Sequence, residues 1–305
     1  MVAFALCVVA NSVEAQTILL VPDSENQRVS AFDAFDGSII DLNFIPDDGA
    51  QGGTSTLDSP FNAIGSGRGT IFVSDEDADS IFEYGFDGNL IGTFAGPNED
   101  IGGVRGIAIN GDSLFVNSTQ GDDKVEQFNI VTGEQSTWTT SELASQQDIL
   151  FRENDVLISN FFSDNIERYD LDGNFLSTFV DGDTNGIDFP QQIHEASNGD
   201  IIVAGLSSPA GLYRYDSNGE LLEFYDVGSV RGVYELGNGN ILYSSLVSGI
   251  VSLDLTSGDS TQIVNEGSYR YIEAVTVAVP EPSGFLVIMM AFSGMFLRRK
   301  SKVGR

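Results

Sequence analysis

Arginines recur at one position of a repeated strand. The tripeptides Val104-Arg105-Gly106 and Val230-Arg231-Gly232 match each other, and Arg270 stands between two tyrosines. Aligning the surrounding segments adds three more residues to this column, which are Phe61, Gln147 and Gln191. Guanidinium groups bind carboxylates and phosphates through paired hydrogen bonds. The column therefore predicts a ligand-binding site for an acidic sugar or another small anion.

A structural use of the same arginines is the alternative. Each arginine could pair with a carboxylate of its own repeat and tie neighbouring repeats together, because a buried charge is tolerated only when it is compensated. The sequence leaves ligand binding and internal pairing open for Arg105, Arg231 and Arg270.

His194, the one histidine, is the candidate for catalysis. It lies beside Glu195 on a strand of the same type, and Tyr234 and Glu273 occupy the matching position in other repeats. A histidine beside a pocket can act as a general base. Because no partner stands at a recognisable spacing, a polar strand residue is the simpler interpretation, and no catalytic residue is assigned beyond this candidate.

Two acidic loops are the candidates for metal binding. Their carboxylates are Asp75, Glu76, Asp77 and Asp79 in the first loop, and Asp181, Asp183 and Asp188 in the second. Calcium binds roughly six to eight oxygen atoms, and neither loop has the spacing of an EF-hand. Solvated turns are therefore favoured, with calcium as the open alternative and no other cofactor expected.

The composition excludes several functions. The sequence has no Walker loop, dinucleotide-binding fingerprint, Ser-His-Asp arrangement or zinc spacing. Its one cysteine, Cys7, lies in a segment expected to be removed, so cysteine chemistry is excluded from the folded part. Residues 16–280 hold nine basic against 43 acidic residues, a balance that repels nucleic acid and anionic lipid.

The elements that must position these residues repeat six times. The first apolar residue of an aligned strand recurs 40 to 53 residues apart, at Ile18, Ile71, Leu114, Val156, Ile201 and Ile241. Each is followed by a second strand, a glycine turn that is Asp-Gly or Asn-Gly in four repeats, and a third strand. This period, with several strands per repeat, indicates a β-propeller, whose sheets bury their faces against each other.

A fourth strand precedes the aligned strand of each repeat and lines the axial channel. These innermost strands are predicted at 61–66, 104–110, 146–152, 191–196, 230–236 and 271–279. The last has no strand after it, and the first repeat has none before it. Residues 271–279 should therefore pair with the N-terminal strands and close an all-β, six-bladed propeller over residues 16–279.

The propeller segments resemble a known repeat family. Ile71–Tyr84 and Leu20–Asp33 are similar to NHL repeats in their acidic loop, apolar residue, aromatic residue and Asp-Gly order. The resemblance covers roughly residues 17–279 and implies an NHL-like six-bladed propeller. YVTN-type and lactonase-type propellers share the pattern. The lactonase type holds a channel metal through Glu, Asn and Asp, a set that has no clear counterpart in this sequence.

The two ends carry export signals. Val2–Ala10 is apolar and small residues precede a cut after Ala15, which predicts a signal peptide at 1–15 that lacks its basic start. At the other end stand Val279-Pro280-Glu281-Pro282-Ser283, an apolar helix predicted at 284–297, and Arg298-Arg299-Lys300.

This C-terminal tail, residues 280–305, resembles the PEP-CTERM sorting signal of Gram-negative bacteria. The resemblance implies transient anchoring in the inner membrane, recognition of residues 279–302 by an exosortase, and association with exopolysaccharide and biofilm systems. A plain tail anchor is the alternative, although it would not need the sorting motif Pro280, Glu281 and Pro282.

We therefore interpret the chain as an exported cell-surface or matrix propeller that binds saccharide or protein, with an anion site at the channel mouth. The opposing interpretation is an enzyme of lyase or lactonase type that uses His194 or a channel metal. A third is a structural spacer with a plugged channel. An arginine-and-glutamine mouth would favour binding, and converging carboxylates and histidine would favour a metal enzyme.

Overall fold

The computed structural model describes residues 13–47, 56–99, 101–119, 123–139, 143, 145–182 and 186–280. The chain divides into two compact units, Ile18–Val275 and a second unit of Met1–Thr17 with Thr276–Arg305. In the second unit, the described residues 13–17 and 276–280 are extended chain. The larger unit contains the residues that line both cavities of the structure.

The described strands form six four-stranded sheets, or blades. From the innermost strand outward, blade 1 consists of β24 (Glu273–Pro280), β1 (Val13–Asp23), β2 (Arg28–Asp33) and β3 (Ile39–Ile45). Blade 2 consists of β4 (Pro60–Gly65), β5 (Thr70–Asp75), β6 (Ser80–Gly85) and β7 (Leu90–Ala95). Blade 3 consists of β8 (Val104–Asn110), β9 (Ser113–Ser118), β10 (Lys124–Asn129) and β11 (Gln135–Thr137).

The remaining blades follow the same order. Blade 4 consists of β12 (Gln146–Phe151), β13 (Val156–Asn160), β14 (Asn165–Tyr169) and β15 (Phe175–Asp181). Blade 5 consists of β16 (Pro190–Glu195), β17 (Ile201–Gly205), β18 (Gly211–Tyr215) and β19 (Leu221–Tyr225). Blade 6 consists of β20 (Val230–Glu235), β21 (Ile241–Ser245), β22 (Gly249–Leu253) and β23 (Ser260–Val264). A 3-10 helix lies at Pro97–Glu99.

Burial is greatest on the second strands of the blades and least on the outermost strands. Every residue of β13, β17 and β21 is buried, whereas β19 has no buried residue. The core lies between blades, as where Phe72 and Ile81 of blade 2 pack with Leu114 and Phe128 of blade 3. Strands that are covered on both faces consist of continuous apolar runs. An isolated blade would expose these faces to water, so it is stable only beside its neighbours.

The chain ends meet as the sequence predicts. Strand β24 lies beside β1 in blade 1, and Asp23 forms an isolated antiparallel bridge with Tyr269. The backbone N–H of Arg270 donates to the carbonyl of Pro22 at 2.9 Å. The prediction of a six-bladed propeller closed by its N- and C-terminal strands is confirmed. The predicted helix at 284–297 and two residues of the sorting motif, Glu281 and Pro282, lie outside the described residues, whereas Pro280 ends β24. Within the described residues no helix has the length and hydropathy of a membrane span.

Glycine turns bring adjacent blades together. Gly88, Gly173 and Gly219 close the turns between the third and fourth strands of their blades at φ of 76°, 84° and 92°. A Cβ at these positions would press on the carbonyl oxygens of Phe44, Trp138 and Phe179, which belong to the preceding blade. These turns therefore need glycine both for the left-handed backbone and for the close approach of the neighbour.

Candidate functional site

The six residues of the predicted column surround one cavity of about 210 Å³ at the channel mouth. They are Phe61, Arg105, Gln147, Gln191, Arg231 and Arg270. Glu76, Phe161 and Leu206, which come from loops, complete its lining. The structure thus brings together every residue that the sequence analysis put in the column.

Irregular pairing on the innermost strands positions this column. In blades 2 to 6 the register with the second strand shifts at the column residue, for example between Pro60 and Asn62 around Phe61 and between Val230 and Gly232 around Arg231. A β-bulge inserts an extra residue and re-aims a side chain away from the sheet. Five similar bulges account for five side chains that turn from the blade toward the channel.

Serine side chains fix the backbone of three column residues. The hydroxyl groups of Ser74, Ser159 and Ser244 donate to the carbonyl oxygens of Arg105, Gln191 and Arg270 in the next blade, at 2.6, 2.7 and 2.7 Å. Ser74 and Ser244 also accept a backbone N–H of their own blades at 3.0 and 2.7 Å. The column is therefore held by bonds between blades as well as within them.

Two of the three arginines have partners at the mouth. Arg105 donates from Nε to Glu76 at 2.8 Å and from Nη1 to Ser145 at 3.1 Å. Arg270 donates from Nε to Ser24 at 3.1 Å. Burial lowers the pKa of Arg270, and the charge of Glu76 opposes that effect. The alternative of internal pairing therefore applies to Arg105, although its carboxylate belongs to the neighbouring blade.

Arg231 and Gln191 have buried donor groups that make no hydrogen bond among the described residues. Nε and Nη1 of Arg231 are buried and have no hydrogen-bond partner among the described residues. Gln191 is 2% exposed, and its Nε2 also lacks a partner there. A buried donor without an acceptor costs roughly 1–3 kcal/mol. Gln147, equally buried, differs because its Nε2 donates to the carbonyl of Ser145 at 3.1 Å.

His194 lies elsewhere, in a second cavity of about 270 Å³ that shares no lining residue with the first. Its ring centroid lies 4.6 Å from that of Tyr234. Burial lowers the pKa of His194 to about 4, with Glu235 opposing the shift, so the imidazole is neutral at pH 7. The expected association with Tyr234 and Glu273 is present, because Glu273 lines the same cavity.

The second cavity also holds two carboxyl groups with raised pKa values. Burial raises the pKa of Asp148 to about 7, and burial together with the charge of Asp148 raises the pKa of Glu273 to about 8. Gln192 contacts Glu273 directly, because its Nε2 donates to Glu273 Oε1 at 2.8 Å. Its Oε1 accepts from the backbone N–H of Val233 at 2.9 Å. Asp148 Oδ2 accepts the N–H of Ile193 at 2.8 Å.

The first acidic loop is used internally. Asp75 is fully buried and accepts the backbone N–H groups of Asp58, Ser59 and Ala78 at 2.7 to 3.1 Å. Asp79 accepts the N–H of Gly103 at 2.6 Å. In the second loop Asp183 lies outside the described residues. Among the residues that are described, no group of three or more His, Cys, Asp or Glu is placed to hold a metal ion.

The sequence analysis missed Phe161 and Leu206 and the role of Glu76. All three are the first residue after the second strand of their blade, five positions beyond the aligned apolar residue. That position forms a second alignable column, although its residue types differ from blade to blade. Asp148 was also missed, because a bulge decides which cavity the residue after Gln147 faces.

Comparison with known proteins places the fold. No family profile and no curated protein sequence matches this chain. A chain in the crystal structure of a nidogen/laminin complex is similar over 85% of this chain and 98% of its own, at 14% identity and a TM-score of 0.67.

Two other solved structures are named after enzymes. A candidate gluconolactonase is 15% identical over 72% of this chain and 90% of its own, with a TM-score of 0.57. A streptogramin B lyase is 14% identical over 88% of this chain and 75% of its own, with a TM-score of 0.51. At such identities the likeness is one of fold alone, a six-bladed β-propeller shared by proteins with different names.

Proposed function

We propose that this protein is a binding module that captures an anionic ligand at the channel mouth. The observation that carries the proposal is the convergence of three guanidinium groups and two buried glutamines on a cavity of about 210 Å³, with donors of Arg231 and Gln191 left unpaired among the described residues. A carboxylate or an acidic sugar supplies the missing acceptors.

Charge supports the same proposal. In a domain with nine basic against 43 acidic residues, three of the nine lie around this cavity. An anion is repelled elsewhere on such a surface, so a local positive mouth gives the site its selectivity. The arginine-and-glutamine lining is also the composition that favours binding over metal-dependent catalysis.

Calorimetric titration of the full chain with glucuronate and with citrate tests this function. Binding is expected, and Arg231→Gln should weaken it about 10- to 100-fold, because a hydrogen bond to a charged group contributes roughly 1.5–3 kcal/mol. Arg214→Gln is the matched control, since Arg214, on β18, forms an ion pair with Asp200 and does not line the cavity. Equal losses in both variants would refute the anion site, as would the absence of binding by every small carboxylate tested.

Export and sorting form the second part of the proposal. The apolar N-terminus and the tail with Pro280, Glu281 and Pro282 support secretion, transient inner-membrane anchoring and recognition by an exosortase-type enzyme, with the cell surface or matrix as destination. A polysaccharide or a surface protein is the expected partner there. Mass analysis of the exported protein would reveal a chain cut after Ala15 and shortened near residue 280; a full-length mass would argue against this processing.

Catalysis at the second cavity is the competing function. The neutral His194 lines one space with Asp148 and Glu273, whose pKa values are raised by burial, and such a set could move a proton on a bound substrate. Incubation of the full chain with lactones and unsaturated uronates, followed by product analysis, separates the two functions. Turnover that is lost in His194→Gln and kept in Arg231→Gln would favour the lyase-type or lactonase-type enzyme.

A further inference from the structure

A second ring of residues is built from equivalent places in the six blades, and three of its members, Glu76, Phe161 and Leu206, line the cavity of about 210 Å³. Each member is the first residue after the second strand of its blade, and its backbone N–H donates to a carbonyl one to five residues before the innermost strand at 2.9 to 3.3 Å. The members of this ring, called the rim below, are Ser24, Glu76, Thr119, Phe161, Leu206 and Leu246. The repeated bond puts all six at equivalent places in their blades.

The rim divides into a polar and an apolar half. Blades 1 to 3 contribute Ser24, Glu76 and Thr119, and blades 4 to 6 contribute Phe161, Leu206 and Leu246. Apolar character continues outward on that second side, where Phe162 is 72% exposed and Val247 is 87% exposed. The rim is therefore amphipathic, and both of its halves reach the cavity, the polar half through Glu76 and the apolar half through Phe161 and Leu206.

The two halves treat the donors of the column differently. On the polar side Ser24 and Glu76 accept from Arg270 and Arg105 at 3.1 and 2.8 Å. The apolar side offers side chains without an acceptor, and there the donors of Gln191 and Arg231 have no partner among the described residues. The unpaired donors and the apolar wall thus belong to the same three blades.

We infer that the cavity selects an anion whose carboxylate is attached to a compact apolar group, in preference to a fully hydroxylated acid. The inference rests on the proposed function and refines its ligand class. The carboxylate accepts from Arg231 and Gln191, and the apolar group lies against Phe161 and Leu206. Sugar hydroxyls placed against that wall would leave water without gaining hydrogen bonds, which weakens the binding of a fully hydroxylated acid. A volume of about 210 Å³ suits a small ligand.

Competition among three small probes tests the inference on the full chain. Phenylacetate has the carboxylate and the apolar arm, glucuronate has the carboxylate with hydroxyls, and 2-phenylethanol has the arm without the charge. By calorimetry or ligand-observed NMR, phenylacetate should bind about tenfold or more tightly than either of the others. Leu206→Ser should weaken phenylacetate severalfold more than glucuronate, and Leu222→Ser, on the exposed outer strand β19, should change neither.

The outcomes distinguish a failure of the apolar selection from a failure of the anion site. Glucuronate bound as tightly as phenylacetate would overturn the selection of an apolar arm and leave the anion site in place. Tight binding of 2-phenylethanol would overturn the role of the charge. Binding of no carboxylate at all would overturn both the proposed function and this refinement.

Discussion

Arg270 lies over the ring of Phe61, with its guanidinium carbon 4.8 Å from the ring centroid. The adjacent Tyr271 packs edge-on against the same ring at 4.8 Å, and its N–H donates to the carbonyl of Phe61 at 3.3 Å. The last segment of the propeller is therefore joined to blade 2 through two residues of the ligand column. Ring closure and construction of the mouth depend on the same contact.

Phe61→Ala should destabilise the propeller strongly. The ring is 2% exposed, and its removal leaves a cavity beneath Arg270 and Tyr271, for which roughly 3–5 kcal/mol is expected. Urea unfolding of the full chain measures the loss. Phe35→Ala is the control, because that ring is 64% exposed and should cost less than about 0.5 kcal/mol. Equal midpoints for the two variants would mean that Phe61 is not a closing contact.

Asp23→Ala should also loosen the closure of blade 1. Asp23 is fully buried and accepts from Arg28 at 3.2 Å and from the backbone of Ser268 at 2.9 Å. Removing one partner of a buried ion pair costs roughly 3–5 kcal/mol, because the other charge stays uncompensated. Hydrogen exchange should show faster exchange at 267–272 than in blades 4 and 5. Uniform acceleration in all blades would contradict a local role.

The sequence allowed the blades and the ligand column to be predicted, and the physical reason is periodicity. Strands with both faces covered need continuous apolar runs, and hairpin turns need glycine, so both recur in register with Ile71 and its five equivalents. The column was found because Arg105 and Arg231 stand in matching tripeptides. The predicted closure of the propeller is confirmed, because β24 lies beside β1 in one sheet.

Other features depend on contacts between different blades, which the repeat pattern of the sequence does not show. Glu76 belongs to a run of carboxylates, and only the approach of Arg105 from blade 3 distinguishes it from Asp75, which caps its own loop. Asp148 and Glu273 lie 125 positions apart in the numbering and meet because blade 1 is completed by β24. The amphipathic rim escapes alignment because its six residues share a place and not a residue type.

Two hairpin glycines distinguish backbone strain from contact between blades. Gly173 and Gly133 have φ of 84° and 73°, yet a Cβ at Gly173 would meet the carbonyl of Trp138, and no described atom lies within 4 Å of one at Gly133. Gly133→Ala should cost only the left-handed penalty of roughly 1–2 kcal/mol. Gly173→Ala should cost clearly more, as measured by thermal and urea unfolding. Similar losses would show that blade 4 moves away from blade 3 without penalty.

The carboxyl pair of the second cavity makes stability depend on pH. Burial raises the pKa of Asp148 and Glu273, so between about pH 4 and pH 8 the native state keeps protons that the unfolded chain has released. The free energy of unfolding should therefore fall as pH rises through this window. His194, with its pKa lowered to about 4, acts in the opposite sense, because the unfolded chain binds a proton below about pH 6.5 that the native state refuses.

Glu273→Gln isolates the carboxylate contribution. The amide keeps an oxygen that can accept from Gln192 and removes the titrating group, so the variant should exceed the parent in stability at pH 8 by about 1–3 kcal/mol and match it more closely at pH 5. Urea unfolding at both pH values measures the difference, with the exposed Glu220→Gln as control. His194→Gln should instead reduce the loss in free energy of unfolding that acidification below about pH 6.5 causes. A Glu273→Gln variant that is less stable than the parent at pH 8 would contradict this prediction. It would show that the ionised carboxylate pair stabilises the native state.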